Sequence, residues 1–388
     1  MNTLKRFSKA IKVLIIFIVL AMLAIYMMDY EYVFRGIRVV YLTGHESAFI
    51  DDHPYFSNAE VKNADKVENW PTASDYNEVS STDRLDSIHE KMNTVAFMII
   101  KNDSIVHEKY FNGYDADSKT NSFSMAKSIT TSLLFKAIDD GHIKSLDQPL
   151  VDFYPEFKGK FAEECTVGDL ASMASGLNWE EDYYNPFSMT AQAYYDDDIS
   201  SLIQECEITT RPGKSFNYLS GNTELLAMIL EKAVEMPLAE YLSKSFWQPL
   251  GMKNKALWQM DSEAKGMVKA YCCIASNARD FARFAQLYLN HGKWNGEQLI
   301  REEHAKMAVQ PRFEDSPQYG YGFWLTDHKN KHAFAMRGFK GQYVIGIPED
   351  DVIIVRLGKG RNKKKVDHFP TDFYVYYEEA LKMLEQLE

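Results

Sequence analysis

Ser124 and Lys127 stand three residues apart in NSFSMAKSITTSLLFKAIDD, residues 121–140. On a helix that spacing puts both side chains on one face. Apolar residues follow at helical intervals: Ile129, Leu133, Leu134, Ala137 and Ile138. The stretch therefore reads as a buried helix that presents a serine in its first turn and an amine one turn later. A serine hydroxyl is a poor nucleophile until a base takes its proton. A lysine serves as that base only when neutral, and apolar surroundings favour the neutral form. The helix N-terminus adds N–H groups and a positive dipole end for an oxyanion forming near Ser124. The chemistry on offer is acyl transfer through an S-x-x-K pair.

The tetrapeptide alone is weak, since roughly one or two copies are expected by chance in a chain this long. A second copy, Ser262–Lys265, sits in a polar stretch with no apolar helix close behind it and reads as chance. Competing hydrolytic schemes lack their signatures: there is no G-x-S-x-G and no H-E-x-x-H, and the ten histidines do not cluster. Walker and Rossmann glycine patterns are also missing. Tyr218, in Tyr218-Leu219-Ser220 after the Pro212-Gly213 turn, supplies a phenol that can relay a proton between Ser124 and a leaving group. A lone tyrosine more often packs than reacts.

These residues need elements to hold them. A β-rich stretch with Val95, Phe97, Ile99 and Ile100 predicts a hairpin over 93–111, turning at Asn102-Asp103. Three further strands are expected at 333–337, 341–347 and 352–357, the last two joined by Pro348-Glu349-Asp350-Asp351. Helices are expected at 83–91, 166–174, 224–234, 276–290 and 374–387, and a strand at 35–42. Residues 178–198 read as a long loop rich in aromatics and acids, with Trp179 and Tyr183 among them; such loops often border sites. Strands come early and late and helices fill the middle, so the two ends are expected to share one sheet. The site would lie in the cleft between the sheet and the helical part.

The net charge of -12 argues against nucleic acid as a partner. A composition of 46% hydrophobic and 13% aromatic residues suits a sizeable core. Cys272 and Cys273 read as packing residues rather than a disulfide, and a Cys165–Cys206 bridge is not favoured. Residues 13–28 form an uninterrupted apolar run, preceded by Lys5, Arg6, Lys9 and Lys12 and followed by Asp29 and Glu31. This predicts an uncleaved signal anchor at 13–28, a cytoplasmic basic tail at 1–12, and the bulk of the chain on the extracytoplasmic side of the membrane. A cleaved export signal is the alternative. A stalk or lead-in is expected over 29–85, wrapped on the main domain.

Several blocks together resemble the serine β-lactamase and penicillin-binding-protein superfamily, in the branch similar to class C β-lactamases, esterases and 6-aminohexanoate-dimer hydrolases. They are SFSMAKSITTSLLFKAIDDG from Ser122, TVGDLASMASGLNWEEDY from Thr166, RPGKSFNYLSGNTELLAMILE from Arg211, AYCCIASNARDFARFAQLYLNHGKWNG from Ala270, YGYGFW from Tyr319 and RGFKGQYVIGIPEDDVIIV from Arg337. Their order and spacing match over about 85–385. The resemblance implies an α+β fold, an antiparallel sheet flanked by helices with an inserted helical part. The hydrolase domain would run over 86–385, with its sheet part at 86–120 and 275–385 and its helical part at 121–274.

It further implies Ser124 as acylated nucleophile, Lys127 as base, Tyr218 as proton relay, and backbone N–H groups of Ser124 and Phe339 as the oxyanion hole. Ser220, Arg337, Gly338, Trp179 and Tyr183 would contact substrate. The family's Tyr-x-Asn here ends in Ser220, as in the 6-aminohexanoate hydrolase-like branch. Its Lys-Thr-Gly or His-x-Gly reads Met336-Arg337-Gly338, which argues against efficient β-lactam hydrolysis. The implied substrate is a small amide or ester, with no metal or other cofactor. A D-Ala carboxypeptidase-like penicillin-binding enzyme and a non-catalytic binding module on the same fold are the alternatives.

Overall fold

The computed structural model describes residues 2–387. The chain opens with α1, Asn2–Met27, and α2, Tyr32–Val39, followed by β1, Asn58–Val61. Next come α3, Asp83–Lys91, the hairpin β2, Thr94–Lys101, and β3, Ser104–Tyr110, and a short β4, Thr120–Asn121. The helical middle holds α4, Met125–Asp139, α5, Val167–Ala171, α6, Met189–Tyr195, and α7, Ser220–Val234. The remainder includes β5, Ala256–Gln259, β6, Ile274–Ser276, α8, Ala278–Leu289, β7, Trp324–Thr326, β8, Ala333–Gly338, β9, Gln342–Ile347, β10, Val352–Gly358, and α9, Thr371–Leu384.

The early and late strands pair as expected, in one antiparallel sheet of order β3-β2-β10-β9-β8-β7. Side chains alternate across its strands. Ala96, Met98 and Ile100 of β2 enter the core shared with α4 and α8, while Phe97 and Ile99 face the α9 side. Both faces are buried, so the strands read as continuous apolar runs. Each large apolar side chain removed from water in this way contributes about 1.5–3 kcal/mol. The β2–β3 turn uses Asn102 and Asp103, both at positive φ (50° and 61°), which Asn and Asp tolerate in tight hairpins.

A second sheet, of order β1-β5-β6-β4, was not anticipated. It welds residues 58–61 of the expected lead-in to the segment that runs up to Ser124. Other expectations are corrected too. The predicted strand at 35–42 is largely helix, α2, because Tyr32, Arg35, Gly36 and Val39 fall on one face at helical spacing. Gly36 sits there because a Cβ would come within 3.3 Å of the Tyr195 ring. The loop at 178–198 is helical in its second half: Ser188 caps α6 by accepting from Ala191 N. The basic tail is continuous with the apolar run in α1; Met1 lies outside the described residues.

Cys272 and Cys273, read as packing residues, are joined as a disulfide between neighbours. Both are buried, and Cys273 has φ 79°. Adjacent cysteines meet without any other element having to bring them together, a route that spacing-based reasoning discounts. Cys165 and Cys206 are free and buried.

Candidate functional site

Ser124 stands at the N-cap of α4. The residue before it, Phe123, is held at φ 46°, a region costly for a non-glycine residue and kept only where neighbours over-determine it. They do so here. Asn121 Oδ1 accepts from Phe123 N at 2.8 Å, Ser122 N donates to Ile274 O at 2.8 Å, and Asn121 N donates to Ile50 O at 2.7 Å. Asn121 in turn donates to the buried Asp52 at 2.9 Å.

Lys127, one turn on, is almost fully buried. Its Nζ lies 3.2 Å from Ser124 Oγ, 3.1 Å from Ser220 Oγ and 2.8 Å from the Tyr271 carbonyl. Its contact with Tyr218 is to the ring, 5.0 Å from the centroid. The Tyr218 ring packs against Trp324 and Tyr319, at 5.2 and 6.0 Å between centroids. Ser124 and Lys127, Tyr218 and Ser220, and the Tyr271 carbonyl therefore converge from three separate parts of the chain.

Glu181 was not singled out by sequence, yet it organises this cluster. Its carboxylate accepts from Ser220 Oγ and Ser220 N, both at 2.7 Å, from Trp179 Nε1 at 2.8 Å, and from the Tyr183 hydroxyl. Ser220 Oγ spends its proton on Glu181, so toward Lys127 it can only accept. The Tyr271 carbonyl also can only accept. Were the Lys127 amine neutral, both of its N–H bonds would be engaged by these two acceptors and its lone pair would face Ser124 Oγ. The only signal for Glu181 in the sequence was an acid in an aromatic loop.

The Tyr271 carbonyl is itself braced. Buried Glu224, one turn into α7, accepts from Ala270 N at 2.8 Å and from Tyr271 N at 3.4 Å. Burial pushes its carboxyl well above the usual range, against the pull of those two N–H bonds.

Gly338 ends β8, and a Cβ there would lie 2.2 Å from the Ser122 carbonyl. Only glycine allows β8 to approach the nucleophile segment this closely. The Phe339 ring meets Phe123 edge to face at 5.5 Å and stacks on Tyr183 at 6.0 Å. The amides of Ser124 and Phe339 are thus carried on adjacent segments. Arg337 is turned to other partners: its guanidinium lies 3.5 Å from the Trp324 ring centre and donates to His368 O at 2.8 Å. Burial lowers its pKa to about 10. At the second S-x-x-K copy, Lys265 is paired with Asp198 at 2.7 Å on the surface.

The chain is 24% identical over 293 residues to the 6-aminohexanoate-dimer hydrolase of Paenarthrobacter ureafaciens, covering 69% of this chain and 73% of that protein. A solved Bacillus anthracis structure named for the 6-aminohexanoate-dimer hydrolases superposes with a TM-score of 0.72 at 24% identity, over 85% of this chain and 91% of that one. A penicillin-binding protein from Bacillus halodurans has the same fold, with a TM-score of 0.59 at 15% identity over 80% of this chain and all of that one. The family profile described as Beta-lactamase matches residues 82–373, well over half of the 388 residues, and the chain belongs to the β-lactamase family of the serine hydrolase and penicillin-binding-protein superfamily.

Proposed function

We propose that this protein is a membrane-anchored serine hydrolase that cleaves an amide or ester through an acyl-enzyme on Ser124. The observation that carries the reading is the Lys127 amine, 3.2 Å from Ser124 Oγ with its other bonds assigned to Ser220 and Tyr271 O. Ser124 Oγ attacks the substrate carbonyl while its proton passes to Lys127. Charge on the carbonyl oxygen falls to the Ser124 and Phe339 N–H groups. The bond to the leaving alcohol or amine breaks, and that group takes a proton through Tyr218 or from Lys127. Water then cleaves the acyl-enzyme and regenerates Ser124. The 6-aminohexanoate-dimer hydrolase likeness supports an amide or ester of modest size.

Ser124→Ala should abolish turnover of p-nitrophenyl esters and labelling by a fluorophosphonate. Labelling that survives the substitution would reject the assignment. The fold shared with a penicillin-binding protein supports a second reading, a peptidoglycan-peptide enzyme. Stable acylation by a fluorescent penicillin would favour it. The engagement of Arg337 with His368 and Trp324 counts against it, because a β-lactam carboxylate needs a free cation in that place.

The anchoring rests on α1. Residues Lys5–Met27 are long and apolar enough to cross a membrane, with a mean hydropathy of 2.7 over the best window and none of that window buried. Lys5, Arg6, Lys9 and Lys12 precede the uncharged run at 13–28 and Asp29 and Glu31 follow it, which favours the hydrolase domain on the extracytoplasmic side.

A further inference from the structure

We infer that the mouth of the site lies on the surface of the bilayer that α1 spans, and that the substrate is an amphiphile whose lipid half remains in that leaflet. This rests on the hydrolase reading and on α1 as the span. The chain leaves α1 through a single tight reversal. Tyr30 N donates to Ile25 O at 3.0 Å, and Asp29 takes φ 57°. Helix α2 then folds back, so that Phe34 shares an apolar groove with Val19, Met22, Leu23 and Tyr26 of α1. Phe34 thus reaches back along the outer half of the span, and the reversal at Asp29 marks the end of the span, where the headgroups begin.

The hydrolase domain is fastened to α2 with no spacer between them. Arg35 donates to Asp261 O at 3.1 Å and pairs with Asp197, and Tyr195 packs on Gly36. The Tyr30 ring meets Phe187 edge to face at 5.3 Å. Phe187 belongs to the same short loop that carries Trp179, Glu181 and Tyr183 to the site. One end of that loop is therefore at the end of the span, and the other is beside Ser220.

Large apolar side chains are left bare on these segments, with Leu42 77% exposed, Tyr184 82% and Phe187 50%, beside the exposed charges of Glu31, Arg38 and Glu46. A protein of net charge -12 gains little from anionic headgroups, so the occupant that fits is the apolar and interfacial zone itself. Tyrosine is favoured at that level, and phenylalanine and leucine line the buried face of interfacial segments. An ester or amide at headgroup height could enter the site while its acyl chain stays in lipid.

The test uses the full chain in phosphatidylcholine vesicles. Tyr184→Cys is labelled with a nitrobenzoxadiazole dye; the native thiols are buried or bonded. Blue-shifted emission and quenching by shallow nitroxide lipids are expected. Emission as in water, unquenched, would overturn the membrane contact. Y184S combined with F187S should lower kcat/KM for a long-chain p-nitrophenyl ester borne in the vesicles about tenfold, and leave aqueous p-nitrophenyl acetate unchanged. Equal loss on both esters would overturn the substrate class. A wild type inactive on both would instead sink the hydrolase reading and the substrate with it, while the dye still decides the contact.

Discussion

The arrangement around Lys127 makes proton accounting a property of Glu181. In Glu181→Gln an amide can donate to Ser220 Oγ, freeing that hydroxyl to turn its proton toward the lysine and occupy the lone pair meant for Ser124. The expected result is a loss of kcat/KM on activated esters of about ten- to a hundredfold, with a displaced pH–rate profile and an unchanged melting temperature. Unaltered kinetics would remove Glu181 from the proton chain. Gly338→Ala tests the other side of the site. Its methyl would collide with the Ser122 carbonyl, pushing the Phe339 amide away from Ser124. Turnover should fall by about a hundredfold, while fluorophosphonate labelling persists at a reduced rate. Ser124 and Lys127 were legible in the sequence because their relation is local, one helical turn. The Tyr271 carbonyl carries no side-chain signature, and Glu181 reaches Ser220 only through folding.

At the scale of elements, the N-terminal segment and the site share a buried polar cluster. Asp52 accepts from Tyr194 at 2.6 Å, Asn121 at 2.9 Å and Gln259 at 2.8 Å. Burial pushes its carboxyl up, and those bonds pull it back down. Nearby Lys269 is fully buried, donates to Tyr194 O at 2.5 Å and lies 4.0 Å over the Phe56 ring. Burial, then the Arg35 charge, lowers its pKa to about 7, against the opposing pull of Asp52, Asp261 and Glu224. Between that value and the ordinary lysine range the unfolded chain holds a proton that the folded chain has given up. Stability from this residue therefore rises as pH increases through that window and is least below it. Denaturation in detergent at pH 7 and pH 9 should show a gain that Lys269→Met removes; an identical pH response in both proteins would contradict it. The hairpins and long helices were readable because period and turn residues agree in them. Helix α2 was not, because its short run of β-branched and aromatic residues scores as strand until Tyr195 and Asp261 supply the surface it packs on.

At the scale of the whole molecule, the shared sheet of early and late strands followed from patterning alone, since both faces are buried and each strand is a plain apolar run. The second sheet did not, because β4 and β6 are two and three residues long and owe their shape to neighbours. That sheet has a practical consequence. The family match begins at residue 82, but Ile50, Asp52 and strand β1 come earlier and clamp Asn121 and the β5 edge. A fragment cut at the family boundary would expose that edge and strand Asn121 without Asp52, whereas one starting just after α1 keeps both. The shorter fragment should aggregate or lose labelling at Ser124, and the longer one should stay soluble in mild detergent and react. For this chain, the part that looks like a tether is the far wall of the room in which the chemistry happens.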